Sequence, residues 1–153
     1  MINAVFLLAF AAAAEPPRSF RFDFGPGAVE PGYTRVLPTT AYTKDLGYGF
    51  DPGAKILGVD RGGPDALRGD FCTSETPFFF SVAVPEGNYR VSVTLGDRGG
   101  PSTTTVKAES RRLMVERAET KAGAFVTKTF LVNVRTPAIG GGRVRLKPRE
   151  QGV

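Results

Sequence analysis

Residues 78–97, FFFSVAVPEGNYRVSVTLGD, decide the fold class. Phe78, Phe80, Val82 and Val84 alternate onto one face. After Pro85-Glu86-Gly87-Asn88, Tyr89, Val91, Val93 and Leu95 do the same, with Arg90, Ser92 and Thr94 on the opposite face. A side-chain period of two places one face on a core and the other toward water, the pattern of an antiparallel sheet. The link between the two runs is built of turn formers, so a β-hairpin is the expected connection.

Similar runs lie on both sides. Arg18–Phe24 alternates Phe20, Phe22 and Phe24 against Arg21 and Asp23, and ends at Gly25-Pro26-Gly27. Shorter extended pieces fall at Thr34–Leu37, Tyr48–Phe50 and Lys55–Val59, and Arg61–Asp70 reads as a polar loop. Downstream, Thr103–Glu109 and Arg111–Glu116 read as strands around a bend. Ala124–Arg135 reads as a long strand with Phe130, Val132 and Val134 on one face, and Arg143–Lys147 as a last one. No segment of helical period and helical length follows residue 14. With 19 Gly and 12 Pro in 153 residues, the chain is an all-β protein. The expected architecture is a jelly-roll β-sandwich of about eight or nine strands in a single domain.

Composition removes several functions. The chain has no histidine, so it holds no Ser-His-Asp or Cys-His site of its own. The lone Cys72 has no intramolecular disulfide partner and no His to activate it; a buried apolar role is expected. The formal charge of +5 is spread among acids, and its densest group, Arg143, Arg145, Lys147 and Arg149, alternates with apolar residues as the wet face of a strand. Nucleic-acid binding is therefore not expected. Residues 4–14, AVFLLAFAAAA, are too short to span a membrane but suit a signal-peptide core, cleaved after Ala14. This organisation, a signal peptide at 1–14 and one domain at 18–153, predicts a secreted or periplasmic protein with no stable membrane span.

The ordered blocks FDFGPG (22–27), GYTRV (32–36), Tyr42 with GYGF (47–50), RGDF (68–71), VPEGNYRVSVTLGD (84–97), KAESRRLMVE (107–116), FLVNVRTP (130–137) and LKPRE (146–150) resemble one family. It is the galactose-binding-like β-sandwich that precedes the catalytic domain in rhamnogalacturonan acetylesterase-type proteins, which are secreted SGNH hydrolases. The resemblance runs from Phe20 to the C-terminus. In that family the module continues into a Trp-containing turn and a further strand, then a Gly-Asp-Ser block. This chain has no Trp, and its Gly96-Asp97 is followed by Arg98. The resemblance therefore implies a C-terminally truncated galactose-binding domain-like sandwich, lacking its last strand and carrying no catalytic residue. An unpaired sheet edge would then leave the isolated chain marginally stable unless another chain supplied the strand.

The implied function is that of a non-catalytic accessory module of a pectin-active esterase. Its partner would be a pectin-type plant cell-wall polysaccharide. The alternative is a structural module that docks on and stabilises a catalytic hydrolase domain without binding glycan. An independent enzyme of the Asp/Glu glycosidase type is the least favoured reading. For glycan binding, the aromatic faces of Tyr33, Tyr42 and Tyr48 suit the apolar C–H face of a pyranose, and Lys44 and Asp45 suit its hydroxyls or carboxylates. Phe50 fits the core better than the site. Related sugar-binding sandwiches hold a structural calcium, for which Asp60, Asp65, Asp70 and Asp97 are the candidate oxygens. Their spacing matches no known calcium loop, so neither metal nor cofactor is expected.

Overall fold

A computed structural model of the chain describes residues 19–109 and 112–135. The expected signal peptide and the Arg143–Lys147 strand lie outside these residues. Ten strands and one helical turn follow in order. The first half holds β1 (Phe22–Phe24), β2 (Thr34–Val36), β3 (Tyr48–Phe50), β4 (Leu57–Asp60), α1 (Ala66–Gly69), β5 (Asp70–Thr73) and β6 (Phe80–Val82). The second half holds β7 (Gly87–Gly96), β8 (Ser102–Ala108), β9 (Arg112–Thr120) and β10 (Phe125–Val134). The protein is all-β.

The two halves of the 78–97 stretch are both extended, but they are not a hairpin. β6 pairs antiparallel with β3, placing Phe80 opposite Phe50, whereas β7 pairs antiparallel with β10 along its whole length, from Gly87 opposite Val134 to Gly96 opposite Phe125. The four-residue link therefore carries the chain from one sheet to another. Side-chain packing explains the choice. The Phe80 ring lies 4.8 Å from Phe24, 5.3 Å from Phe22 and 5.4 Å from Phe50, in edge-on arrangements that favour aromatic pairs. That cluster draws β6 toward β1 and β3, while the aliphatic face of β7 finds its like on β10. Pro85 has no N–H to give to a ladder, and its carbonyl accepts the Tyr89 hydroxyl at 2.8 Å.

The alternation within β7 holds. Tyr89, Val91, Val93 and Leu95 are half-buried and Asn88, Arg90, Ser92 and Thr94 exposed. On β10, Phe130, Val132 and Val134 turn inward, and Leu131 stays outside. The outward face of this pair is a ladder of small polar groups. Ser92 and Thr129 share a hydrogen bond of 2.8 Å, Thr94 and Thr127 one of 3.0 Å, and Asn133 donates its side-chain amide to Asn88. Such cross-strand pairs fix the register of a solvated face.

β8 and β9 form the expected antiparallel pair, with two departures from register. Thr104 faces Ala118 and Val106 faces Val115, so β9 spends three steps where β8 spends two. The extra residue is a β-bulge, and Arg117 within it adopts a positive φ of 39°. The bulge is what buries Val115 and Ala118 together, although their spacing of three breaks strict alternation.

Two elements depart from expectation in the Arg61–Asp70 region. A single helical turn, α1, interrupts it, and β5 follows directly, antiparallel to β4. The first strand is also shorter than Arg18–Phe24, because only Phe22–Phe24 has a partner, pairing parallel with Thr34–Val36. The buried apolar core comprises Val36, Phe50, Val115 and Ala118.

Candidate functional site

The 42–48 loop is held against β3 by backbone geometry. The Tyr42 amide donates to the Phe50 carbonyl at 3.0 Å, the Phe50 amide to Thr40 at 2.8 Å, and the Ala83 amide to Gly47 at 2.7 Å. Gly49, with φ 146°, lets the Ala41–Tyr42 backbone lie flat on it; a Cβ there would overlap that backbone. Within the loop, the Leu46 amide bonds the Thr43 hydroxyl and the Gly47 amide the Thr43 carbonyl. The chain is thus a tight turn that projects Lys44 and Asp45 into solvent.

Of the five residues singled out in the sequence, Tyr42, Lys44, Asp45 and Tyr48 share this loop. Tyr42 and Tyr48 are half-buried at its two ends. The Tyr48 ring lies 5.0 Å from Phe22 and 6.4 Å from Phe80, at the rim of the aromatic cluster. Tyr33 belongs to a separate turn, 30–33, where the Arg21 guanidinium sits 5.9 Å over its ring. Phe50, only 4% exposed, is core.

The four candidate calcium carboxylates are separately engaged, although Asp60 and Asp70 stand opposite each other across β4 and β5. Asp60 accepts the Gly62 amide at 2.7 Å, and Asp65 pairs with Arg68 at 2.5 Å. Asp97 is gripped by both arms of Arg61, at 3.1 and 3.0 Å, and also accepts the Gly99 amide. Arg61 holds the Asp97 carboxyl below the usual carboxylate range. With Arg98 donating to the Gly62 carbonyl at 3.0 Å, the Gly96-Asp97-Arg98 turn is a clasp between loops. Among the described residues, no group of three or more His, Cys, Asp or Glu side chains is arranged to hold a metal ion.

Asp70 is the fourth, and it is buried, at 7% exposure. Its Oδ2 accepts the Gly27 amide at 2.5 Å, and its buried Oδ1 has no partner among the described residues. Burial raises its carboxyl above the usual range; the Gly27 bond and Arg35 oppose the shift, while Asp23 and Asp60 add to it. Asp23, 5% exposed, accepts the Glu30 amide at 2.9 Å. The FGPG turn therefore wraps one acid while β1 buries another. The Gly25 and Gly27 pair in the sequence was the available sign of this close approach.

A concavity the sequence did not single out opens between β9 and β10. Its volume is about 390 Å³, and Val115, Ala118 and Val126 line it together with Glu119, Arg117 and Lys128.

Fold and surface define a galactose-binding-like β-sandwich. Residues 20–134 match the family described as beta-agarase/YXIM esterase-like, galactose-binding domain-like, and the chain belongs to that family. It is 35% identical over 88 residues to the uncharacterized esterase YxiM of Bacillus subtilis, covering 55% of this chain and 23% of that protein. It is 34% identical over 120 residues to beta-agarase A of Zobellia galactanivorans, covering 75% of this chain and 22% of that protein. The crystal structure of Bacillus subtilis YxiM superposes with a TM-score of 0.58 at 29% identity, covering 74% of this chain and 32% of that one. The chain thus spans less than a quarter of the length of either relative. The family is a galactose-binding-like domain family of agarase and esterase proteins, in agreement with the galactose-binding-like β-sandwich drawn from the sequence blocks. Among the described residues, no helix is long and apolar enough to cross a membrane.

Proposed function

We propose that this chain is a non-catalytic, carbohydrate-binding accessory module of an exported esterase acting on pectin-type polysaccharide such as rhamnogalacturonan. The observation that carries this reading is the family match across residues 20–134, in a domain class that an esterase and a beta-agarase bear beside much longer remaining sequence. The 42–48 loop is its contact surface. Lys44 and Asp45 project toward hydroxyls or uronate carboxylates, Tyr42 and Tyr48 flank them, and Tyr33 adds a ring on a separate turn. The net charge of +5 favours an acidic polysaccharide through long-range attraction. Export follows from the apolar run at residues 4–14. Affinity electrophoresis in gels containing pectin, rhamnogalacturonan, galactan or agarose tests the reading. Retardation of the folded protein, reduced in Tyr42→Ala, is the expected result.

A second reading, docking on a hydrolase domain without glycan binding, draws support from the consecutive exposed rings of Phe78 and Phe79, Phe79 at 57%. Unretarded migration of folded protein in every gel would favour it.

A further inference from the structure

We infer that the cleft between β9 and β10 is a second carbohydrate site, built for a neutral rather than an acidic glycan. The inference rests on the accessory-module reading but concerns a face separate from the 42–48 loop. At about 390 Å³ the cleft falls in the range of roughly 300–1,000 Å³ typical of small-ligand sites. Its floor is aliphatic: Val115 and Ala118 are buried on β9, and Val126 faces them from β10. Its rim is charged and carries both donors and acceptors, Arg117 and Lys128 against Glu116 and Glu119. A pyranose offers the complementary surface, an apolar C–H face ringed by hydroxyls that both donate and accept.

Charge selects the class of sugar. Two cations face two carboxylates, and Arg117 already pairs with Glu119 at 3.1 Å. A uronate or sulfate group would find Arg117 already paired with Glu119 and Glu116 repelling it, with Lys128 alone to attract it, whereas a hydroxyl meets ready donors and acceptors.

The backbone is arranged for this surface. In an unbroken β9, residues 115, 117 and 119 would point the same way and turn Arg117 and Glu119 into the sheet. The bulge rotates the strand so that Ala118 takes the inward position and Arg117 and Glu119 reach the rim. It does so at the cost of a left-handed conformation at a non-glycine residue. Lys128 alternates with Val126 and Phe130 on the inward side of β10, yet it is exposed and lines the cleft.

The test is a titration of the isotopically labelled chain with a neutral galactan oligosaccharide and, separately, with an oligogalacturonate, read from backbone amide shifts. Shifts at 114–119 and 126–129 with the neutral oligosaccharide are expected. Affinity should fall at least tenfold in Lys128→Ala and in Glu119→Gln. Both substituted side chains are exposed, and an unchanged thermal midpoint confirms a folded sample. Neutral-glycan binding that survives Lys128→Ala and Glu119→Gln, or shifts confined to 42–48, would overturn the cleft while leaving the accessory-module reading intact. Stronger cleft shifts with the oligogalacturonate would overturn the charge argument. No binding of either glycan anywhere would overturn the cleft and the module reading together.

Discussion

The carboxyl of Asp70 lies against Gly25 and Gly27 with one oxygen bonded and the other buried without a partner among the described residues. Its raised pKa has a direct thermodynamic consequence. A carboxyl that binds its proton more tightly in the folded state adds stability below the ordinary carboxylate value, and that stability is lost as pH rises through the folded pKa. Asp70→Asn keeps an acceptor for the Gly27 amide and removes the buried charge. The variant should gain on the order of 1 kcal/mol at neutral pH and lose this limb of the pH dependence, as read from thermal midpoints between acid and neutral pH. Asp97 has the opposite sign. Its contribution is present above the ordinary value and lost as pH falls through its lowered pKa. Gly25→Ala, at φ 149° and against the Asp70 carboxyl, should cost about 3 kcal/mol in urea denaturation. Burial pushes the Cys72 thiol up to about 11. Alkylation by iodoacetamide at neutral pH should therefore be slower in the folded than in the unfolded chain by a factor on the order of 100.

Among the elements, β9 shows how local strain serves packing. Arg117 occupies the left-handed region in the middle of a strand, and its amide is steadied by the Thr105 hydroxyl at 3.3 Å. If the bulge demands that conformation, Arg117→Gly should leave the thermal midpoint level or slightly raised, since the exposed pair with Glu119 contributes little. Arg117→Val, β-branched and unsuited to positive φ, should cost about 2 kcal/mol. Strands β7 and β10 behave differently, because their alternation is unbroken and could be followed along the sequence residue by residue. The hairpin tip is the third case. Glu109, at φ 54°, accepts the Asn133 amide at 2.9 Å and so occupies a donor on the β10 edge that would otherwise invite another strand.

At the scale of the molecule, a chain without histidine should show no hydrolysis of acetylated substrates above background, measured on the purified protein alone. Sustained turnover by this chain would displace the accessory-module reading. The all-β class, the strands between Thr34 and Val134 other than β5, the two-faced character of β7 and β10, and the family were legible in the sequence, because each rests on local period, turn chemistry or ordered motifs. The loop carrying Tyr42, Lys44, Asp45 and Tyr48 was also legible as a unit, since its members are close in the chain. What was not legible depended on distant partners. The hairpin at 78–97 dissolved because aromatic rings from β1 and β3, some 30 to 60 residues earlier, capture Phe80. Asp70 was read only as a candidate calcium oxygen because nothing near it in sequence announces burial by a turn 43 residues away. The cleft between β9 and β10 needs both the bulge and two strands that meet only in the fold. Which residues become strands and which faces are apolar was therefore determined by the sequence itself, through interactions a few residues long. Which strands pair, which acid is buried and where the surface is concave were decided only in the tertiary structure, because those outcomes depend on side chains that meet across the fold.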